Sequence, residues 1–246
     1  MGFCKKIKED FSKAKCKTWI VPEGYSTPAS DYPLDKYHGA KLTRKPYSKE
    51  FIGIMEGVDG YDFFCSDKPI PVTSLKINNQ TWMVDDPLHW EGMQRLAEKS
   101  EGSVLLGGLG LGLLPHALKK NKKVKQIDIY ERDEDVIKLM KNKIPKDVRI
   151  HNKDISEYPM KRIQKIFSKE KPMSCHDTVI LDIWVGQGTP NKWAEMMGFF
   201  NQFKQACPNS KIMIWGTGIS DINPAIPDDY EPCKIQTEIK KQRLSK

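Results

Sequence analysis

The chain has 246 residues, of which 39% are hydrophobic and 29% charged, enough for one large or two modest domains around a substantial core. Its net charge of +8 favours anionic partners, nucleic acid or an anionic surface, without bearing on the fold. The longest apolar run, Val104 to Leu114, is too short to span a bilayer, no secretory leader is visible, and the six cysteines at 4, 16, 65, 175, 207 and 233 have no metal-ligand spacing, so a cytoplasmic protein with reduced thiols is expected.

Residues 1 to about 18 are lysine-rich, with Phe3, Ile7 and Phe11 at roughly helical spacing, which fits a short amphipathic helix or a basic tail. Met1-Gly-Phe-Cys4 has the outline of an acylation site, but Lys6 stands where such sites carry Ser or Thr. Between Trp19 and Tyr47, four prolines among tyrosines and small polar residues read as irregular packed loop. Phe51 to Phe64 mixes glycine with apolar residues and reads as short strands or turns. From Val72 to Val84 the pattern sharpens. Leu75 and Ile77 alternate, Asn78-Asn79 can turn, and Trp82 and Val84 alternate again, which predicts a hairpin. A helix over Leu88 to Lys99 follows, with Asp85 or Asp86 as its cap and Pro87 in its first turn.

The next stretch organises the chain. Val104 to Leu106 reads as a buried parallel strand, Gly107, Gly108, Gly110 and Gly112 as a tight turn, and Leu113, Leu114, Ala117 and Leu118 as the inner face of a helix. Such a turn brings backbone close to a ligand, and the helix start behind it offers unpaired N–H groups. Lys125 to Tyr130 is the next strand and ends on Glu131, 23 positions after Gly108, near the spacing at which an acid reaches ribose hydroxyls.

Alternation then continues: a helix over Asp133 to Lys143, a strand at Val148 to Ile150, a basic helix over Pro159 to Lys171, and a strand from Thr178 to Asp182. A loop from Ile183 to Pro190, a helix over Asn191 to Cys207 and a fifth strand from Lys211 to Trp215 complete the pattern. The expected fold is α/β, a Rossmann-like doubly wound sheet of order 3-2-1-4-5 spanning residues 81–246, behind an N-terminal extension (1–80) with its hairpin. The tail after strand five leaves little room for a closing C-terminal hairpin. Asp182, an acid at a strand's carboxyl end beside the point where the order reverses, is the expected catalytic side chain.

A dinucleotide fingerprint would need Gly or Ala where Leu113 or Pro115 stands. The G-x-G-x-G pattern at Gly108, Gly110 and Gly112, between its strand and Glu131, instead resembles the class I S-adenosylmethionine-dependent methyltransferases. Val104-Leu-Leu-Gly-Gly-Leu-Gly-Leu-Gly112 is most similar to their spermidine synthase branch, and the resemblance covers about residues 82 to 216. It implies a transferase with S-adenosyl-L-methionine as cofactor, bound by Gly108, Leu109, Gly110, Gly112, Glu131, Arg132, Asp154, Ile155 and Asp182. Asp154 and Ile155 would hold the adenine amino group and ring, although Asp154 also suits a helix cap. Asp85, Asp86, His89, Trp90 and Glu91 match an acidic-aromatic stretch of that branch, readable either as a pocket wall or as a cap with a core tryptophan.

Two other functions share these features. A spermidine synthase-like aminopropyltransferase would use the decarboxylated donor, but Leu111 and Val185 stand where that branch carries acids, so no aminopropyl transfer to putrescine is expected. A non-catalytic adenosyl- or nucleic-acid-binding protein would keep the glycines alone. Strand four lacks the D/N-P-P-Y/F motif of enzymes that methylate base amines. The sequence implies no metal, leaves the methyl acceptor and the oligomeric state open, and keeps nucleic acid as a partner on net charge alone.

Overall fold

The computed structural model describes residues 18–47, 51–58, 61–184 and 190–215, together with residues 4, 5, 8, 9 and 12. Most of the expected N-terminal amphipathic stretch, residues 185–189 of the loop after the fourth expected strand, and the tail from 216 lie outside the described residues.

The N-terminal part is built of strands. Those are β1 (Thr18–Ile20), β2 (Lys36–Tyr37), β3 (Ala40–Tyr47), β4 (Phe51–Val58), β5 (Tyr61–Ser66), β6 (Ile70–Ile77) and β7 (Gln80–Val84). They form a three-stranded sheet in the order β1-β5-β4 and an antiparallel four-stranded sheet in the order β2-β3-β6-β7. The β6–β7 hairpin turns at Asn78 and Asn79, whose φ angles of 49° and 67° are the left-handed pair that two-residue hairpins need. The expectation of irregular loop from Trp19 to Tyr47 is corrected: β3 lies inside it. Ala40 and Leu42 alternate into the core along β3. Pro46 is tolerated because β2 pairs only with Ala40 and Lys41, which leaves that side of β3 open further along.

Helix α1 (Pro87–Glu98) begins at Asp86, whose side chain accepts the His89 N–H at 2.9 Å, with Pro87 at the first helical position. Strand β8 (Gly102–Gly107) follows, then α2 (Leu113–Lys120), β9 (Val124–Glu131), α3 (Glu134–Met140), β10 (Arg149–Asn152), α4 (Glu157–Phe167), β11 (Thr178–Leu181), α5 (Pro190–Ala206) and β12 (Lys211–Ile214). Val104, Leu105 and Leu106 are all buried, each such side chain stabilising the fold by about 1.5–3 kcal/mol. Burial on both faces requires cover on both. Val104 and Leu106 join one core cluster with α1, α2 and α3, while Leu105 joins another with α4 and α5. The protein is thus mixed α/β, with a five-stranded parallel sheet flanked by helices, its strands lying β10-β9-β8-β11-β12.

The first cluster also takes in Ala40, Leu42 and Leu75 of the antiparallel sheet, so that sheet and the parallel one share a core. Asp85, 1% exposed, fastens the junction by accepting the Thr27 hydroxyl at 2.6 Å and the Thr73 N–H at 2.5 Å.

The cysteines depart from expectation. Cys4 is bonded to Cys65 and Cys175 to Cys207, and among the described residues no cysteine is free. Separations of 61 and 32 residues give no local spacing that would reveal the pairs in a sequence. Cys4 is therefore not available for acylation. No helix among the described residues is long and apolar enough to cross a membrane.

Candidate functional site

Strands β8, β9, β10, β11 and β12 deliver their carboxyl ends to one rim of the sheet, where the chain leaves a cavity of about 800 Å³. All five strand ends supply lining residues: the glycine turn after β8, Glu131 to Asp133 at and after β9, Lys153 to Ser156 after β10, Asp182 to Trp184 after β11, and Trp215 after β12. The antiparallel sheet closes the opposite side with Leu75, Ile77, Trp82 and Met83, and α1 adds Leu88 and His89.

Glu131 is clamped. Its Oε2 accepts the Leu109 N–H and its Oε1 the Asp133 N–H, both at 2.9 Å. Burial pushes its carboxyl above the ordinary value, opposed by these backbone donors. A carboxylate has about four lone-pair sites, so these backbone donors do not exhaust it and a ligand in the cavity can still be bound. Asp133 in turn caps α3 through the Asp135 and Val136 N–H groups.

Gly108 has φ of 94°, and a side chain on it would run into the Asp182 carbonyl oxygen, so the turn and the end of β11 touch through backbone. Gly110 has φ of 50°, and its missing side chain makes room for Met83, whose sulfur would lie 2.5 Å from a Cβ there. This narrows one expectation: most of the turn's N–H groups are not left for a ligand. Those of Gly108, Leu109, Leu111 and Gly112 go to the Tyr130 carbonyl, Glu131, the Met83 sulfur and the Leu109 carbonyl. A pyrophosphate would need such donors; a nucleoside gripped by a carboxylate does not.

Of the expected binding residues, Gly108, Gly110, Glu131, Arg132, Asp154, Ile155 and Asp182 line the cavity together. Leu109 and Gly112 do not. The Leu109 side chain is buried in the core, while Gly112 sits against Ile144 beneath the turn, so both shape the site from behind. Asp154 faces the cavity but is not the cap of α4, whose N-cap position is Ser156. Ser156 holds the Asp154 carboxyl below the ordinary value, through its side chain first and also through its N–H, which donates to Oδ1 at 2.9 Å. Arg132 stands 3.7 Å from the other Asp154 oxygen.

Asp182 opens only toward the cavity and is otherwise enclosed by protein, so burial pushes its carboxyl up to about 6, with the positive charge of His89 acting in the opposite direction. The acidic-aromatic stretch divides. Asp85 is a structural brace, Trp90 is core beneath the Lys120 ammonium, and Glu91 is not among the lining residues. His89 alone of that stretch lines the cavity, with Asp86 behind it: Nδ1 of His89 lies 2.8 Å from Oδ1 of Asp86.

Sequence reasoning missed Trp215 and Glu195 as lining residues, and reached Trp184 only as part of the loop expected over the pocket. The two tryptophans carried a signal, since each stands just past a strand that ends at the rim. Gly92 on α1 seats the Trp215 ring, which a side chain there would strike. The lining also runs against the net charge of the chain. Glu131, Asp133, Asp154, Asp182 and Glu195 face it, against Arg132 and Lys153.

Compared with known protein families and curated proteins, the chain matches no family model and no curated sequence.

Proposed function

We propose that this chain is a Rossmann-like enzyme, strand order 3-2-1-4-5, that transfers a methyl group from S-adenosylmethionine. The observation that carries this reading is the clamped Glu131 carboxylate, aimed into a cavity that also holds Asp154 and Ile155, beside a turn whose Gly108, Leu109, Leu111 and Gly112 N–H groups are already taken. Glu131 would hold the ribose hydroxyls, Asp154 and Ile155 the adenine, and the acid-rich remainder would compensate a cationic ligand. When bound, S-adenosylmethionine supplies an electrophilic methyl group on a sulfonium centre. The protein then has to orient an acceptor and exclude water, for which Trp82, Trp184 and Trp215 give the cavity apolar walls.

The same acid surplus weighs against nucleic acid entering the cavity, since a phosphate backbone would meet five carboxylates. It also keeps the aminopropyl reading in play, because a polyamine suits an acidic pocket. Leu111 bears less on that choice than the sequence suggested, as its side chain is buried in the core. The two disulfides favour an oxidising compartment over the cytoplasm.

Calorimetry with S-adenosylmethionine tests the proposal. Binding is expected, and Glu131→Ala should weaken it tenfold or more, since removing the carboxylate leaves buried donors unpaired at a cost of about 1–3 kcal/mol. Equal affinity would remove Glu131 from the site. Incubation with either donor and putrescine separates the transferases: spermidine formed at enzymatic rates would replace the methyltransferase reading.

A further inference from the structure

Outside the nucleoside end of the cavity, His89 is held in a way that the donor does not require. Oδ1 of Asp86 accepts from both the backbone N–H of His89, at 2.9 Å, and its ring Nδ1, at 2.8 Å. The Tyr47 hydroxyl donates to the other oxygen at 3.4 Å. A carboxylate only accepts, so Nδ1 carries the proton, and in the neutral ring Nε2 keeps its lone pair. The His89 side chain is 27% exposed and lines the cavity, while that of Asp86 is only 10% exposed. The imidazole is seated with its centre 6.0 Å from that of the Trp215 ring.

We propose that His89, positioned by Asp86, takes the proton of the acceptor substrate, which is therefore an amine or a hydroxyl compound whose N–H or O–H bond breaks during transfer. This rests on the methyltransferase reading. The acceptor's heteroatom bonds to the methyl carbon, the carbon–sulfur bond breaks with its electron pair left on sulfur, and the acceptor's proton passes to Nε2. The imidazolium so formed faces three carboxylates, Asp86 and Asp85 from the start of α1 and Asp182 from the end of β11. Tyr25 and Tyr47, which face Asp86, stay neutral because burial raises both hydroxyls. His89 is held above the ordinary imidazole value: burial opposes this, and the Asp86 hydrogen bond and charge outweigh it. Asp182 is then the countercharge to the protonated ring.

Two measurements on the full-length protein decide the matter. With isotope-labelled histidine, the His89 resonances, assigned by their loss in His89→Gln, should show the proton on Nδ1 and a titration midpoint above about 6.5. Asp86→Asn keeps a helix-capping side chain but removes the charge, and should lower that midpoint by about one unit or more. Turnover is followed as S-adenosylhomocysteine released with a panel of primary amines and phenols. His89→Gln should lower it roughly 100-fold with donor affinity by calorimetry unchanged. The acid limb of the wild-type pH profile should coincide with the His89 midpoint and move down with it in Asp86→Asn. A neutral ring with its proton on Nε2, an unmoved midpoint, an unmoved limb, full turnover in His89→Gln, or no turnover with any amine or phenol while the donor binds would each overturn the proposal. Failure of the donor to bind would instead remove the methyltransferase reading and this proposal with it, and the resonance measurements would then judge the Asp86–His89 pair alone.

Discussion

Asp182→Asn should make the protein more stable, by an amount that grows with pH. Asp182 ionises near 3.8 when freely solvated and at about 6 where burial holds it. That gap of about two units corresponds to about 3 kcal/mol. A carboxyl raised by folding contributes its stability below the unfolded value and has lost it once the pH passes the folded one. At pH 8 the wild-type protein therefore bears the full penalty of a buried charge, and at pH 5 about half of it. Asparagine does not titrate, and the cost of burying its amide is the same at both pH values, so it cancels in the comparison. Urea unfolding should show the variant's advantage widening by about 1.4 kcal/mol between pH 5 and pH 8. His89 loses a countercharge in the variant, which acts in the opposite sense, so repeating the pair in a His89→Gln background isolates the carboxyl. An advantage that stays constant or narrows with pH in that background would refute the reasoning.

Gly110→Ala combines a strained left-handed residue with a clash on the Met83 sulfur, and should lower stability by about 1–3 kcal/mol. An unchanged denaturation midpoint would show that the turn is not packed this way. Replacing Cys175 and Cys207 together by serine opens a loop of 32 residues, for which chain entropy gives a loss of up to about 4 kcal/mol. Free thiols at these positions in the native protein, read by mass spectrometry after alkylation, would refute the bridge.

What the sequence reveals about this protein depends on how local the cause is. The β6–β7 hairpin was legible because Asn78-Asn79 supplies two left-handed residues between alternating strands. The Asp86 cap and Pro87 mark the start of α1 within three residues of chain. The glycine turn was legible as a turn but its packing was not: Gly110 is glycine because Met83, 27 residues earlier, fills the space beside it. Strand β3 was hidden by Pro46, whose harmlessness depends on how far its neighbour β2 extends. Asp85, Asp86 and Glu91 looked equivalent as carboxylates, and only the positions of Thr27, Thr73 and the cavity distinguish brace, positioning group and bystander. The disulfides were illegible for the same reason, since pairing is fixed by long-range topology.

The Cys175–Cys207 bridge has a mechanical consequence. Cys175 precedes β11 and Cys207 follows α5, so the bond closes a ring around the strand and helix that frame Asp182 and Trp184. Because β11 runs toward the rim and the chain returns through α5, both cysteines lie at the foot of this unit and the cavity lies at its head. A covalent foot forbids the helix from sliding along the strand. Motion that admits a ligand between them must then be a splaying of the head about a fixed pivot, largest at the rim and vanishing at the bond. The hinge of this part of the cavity is thus set by a sulfur–sulfur bond at the opposite edge of the sheet.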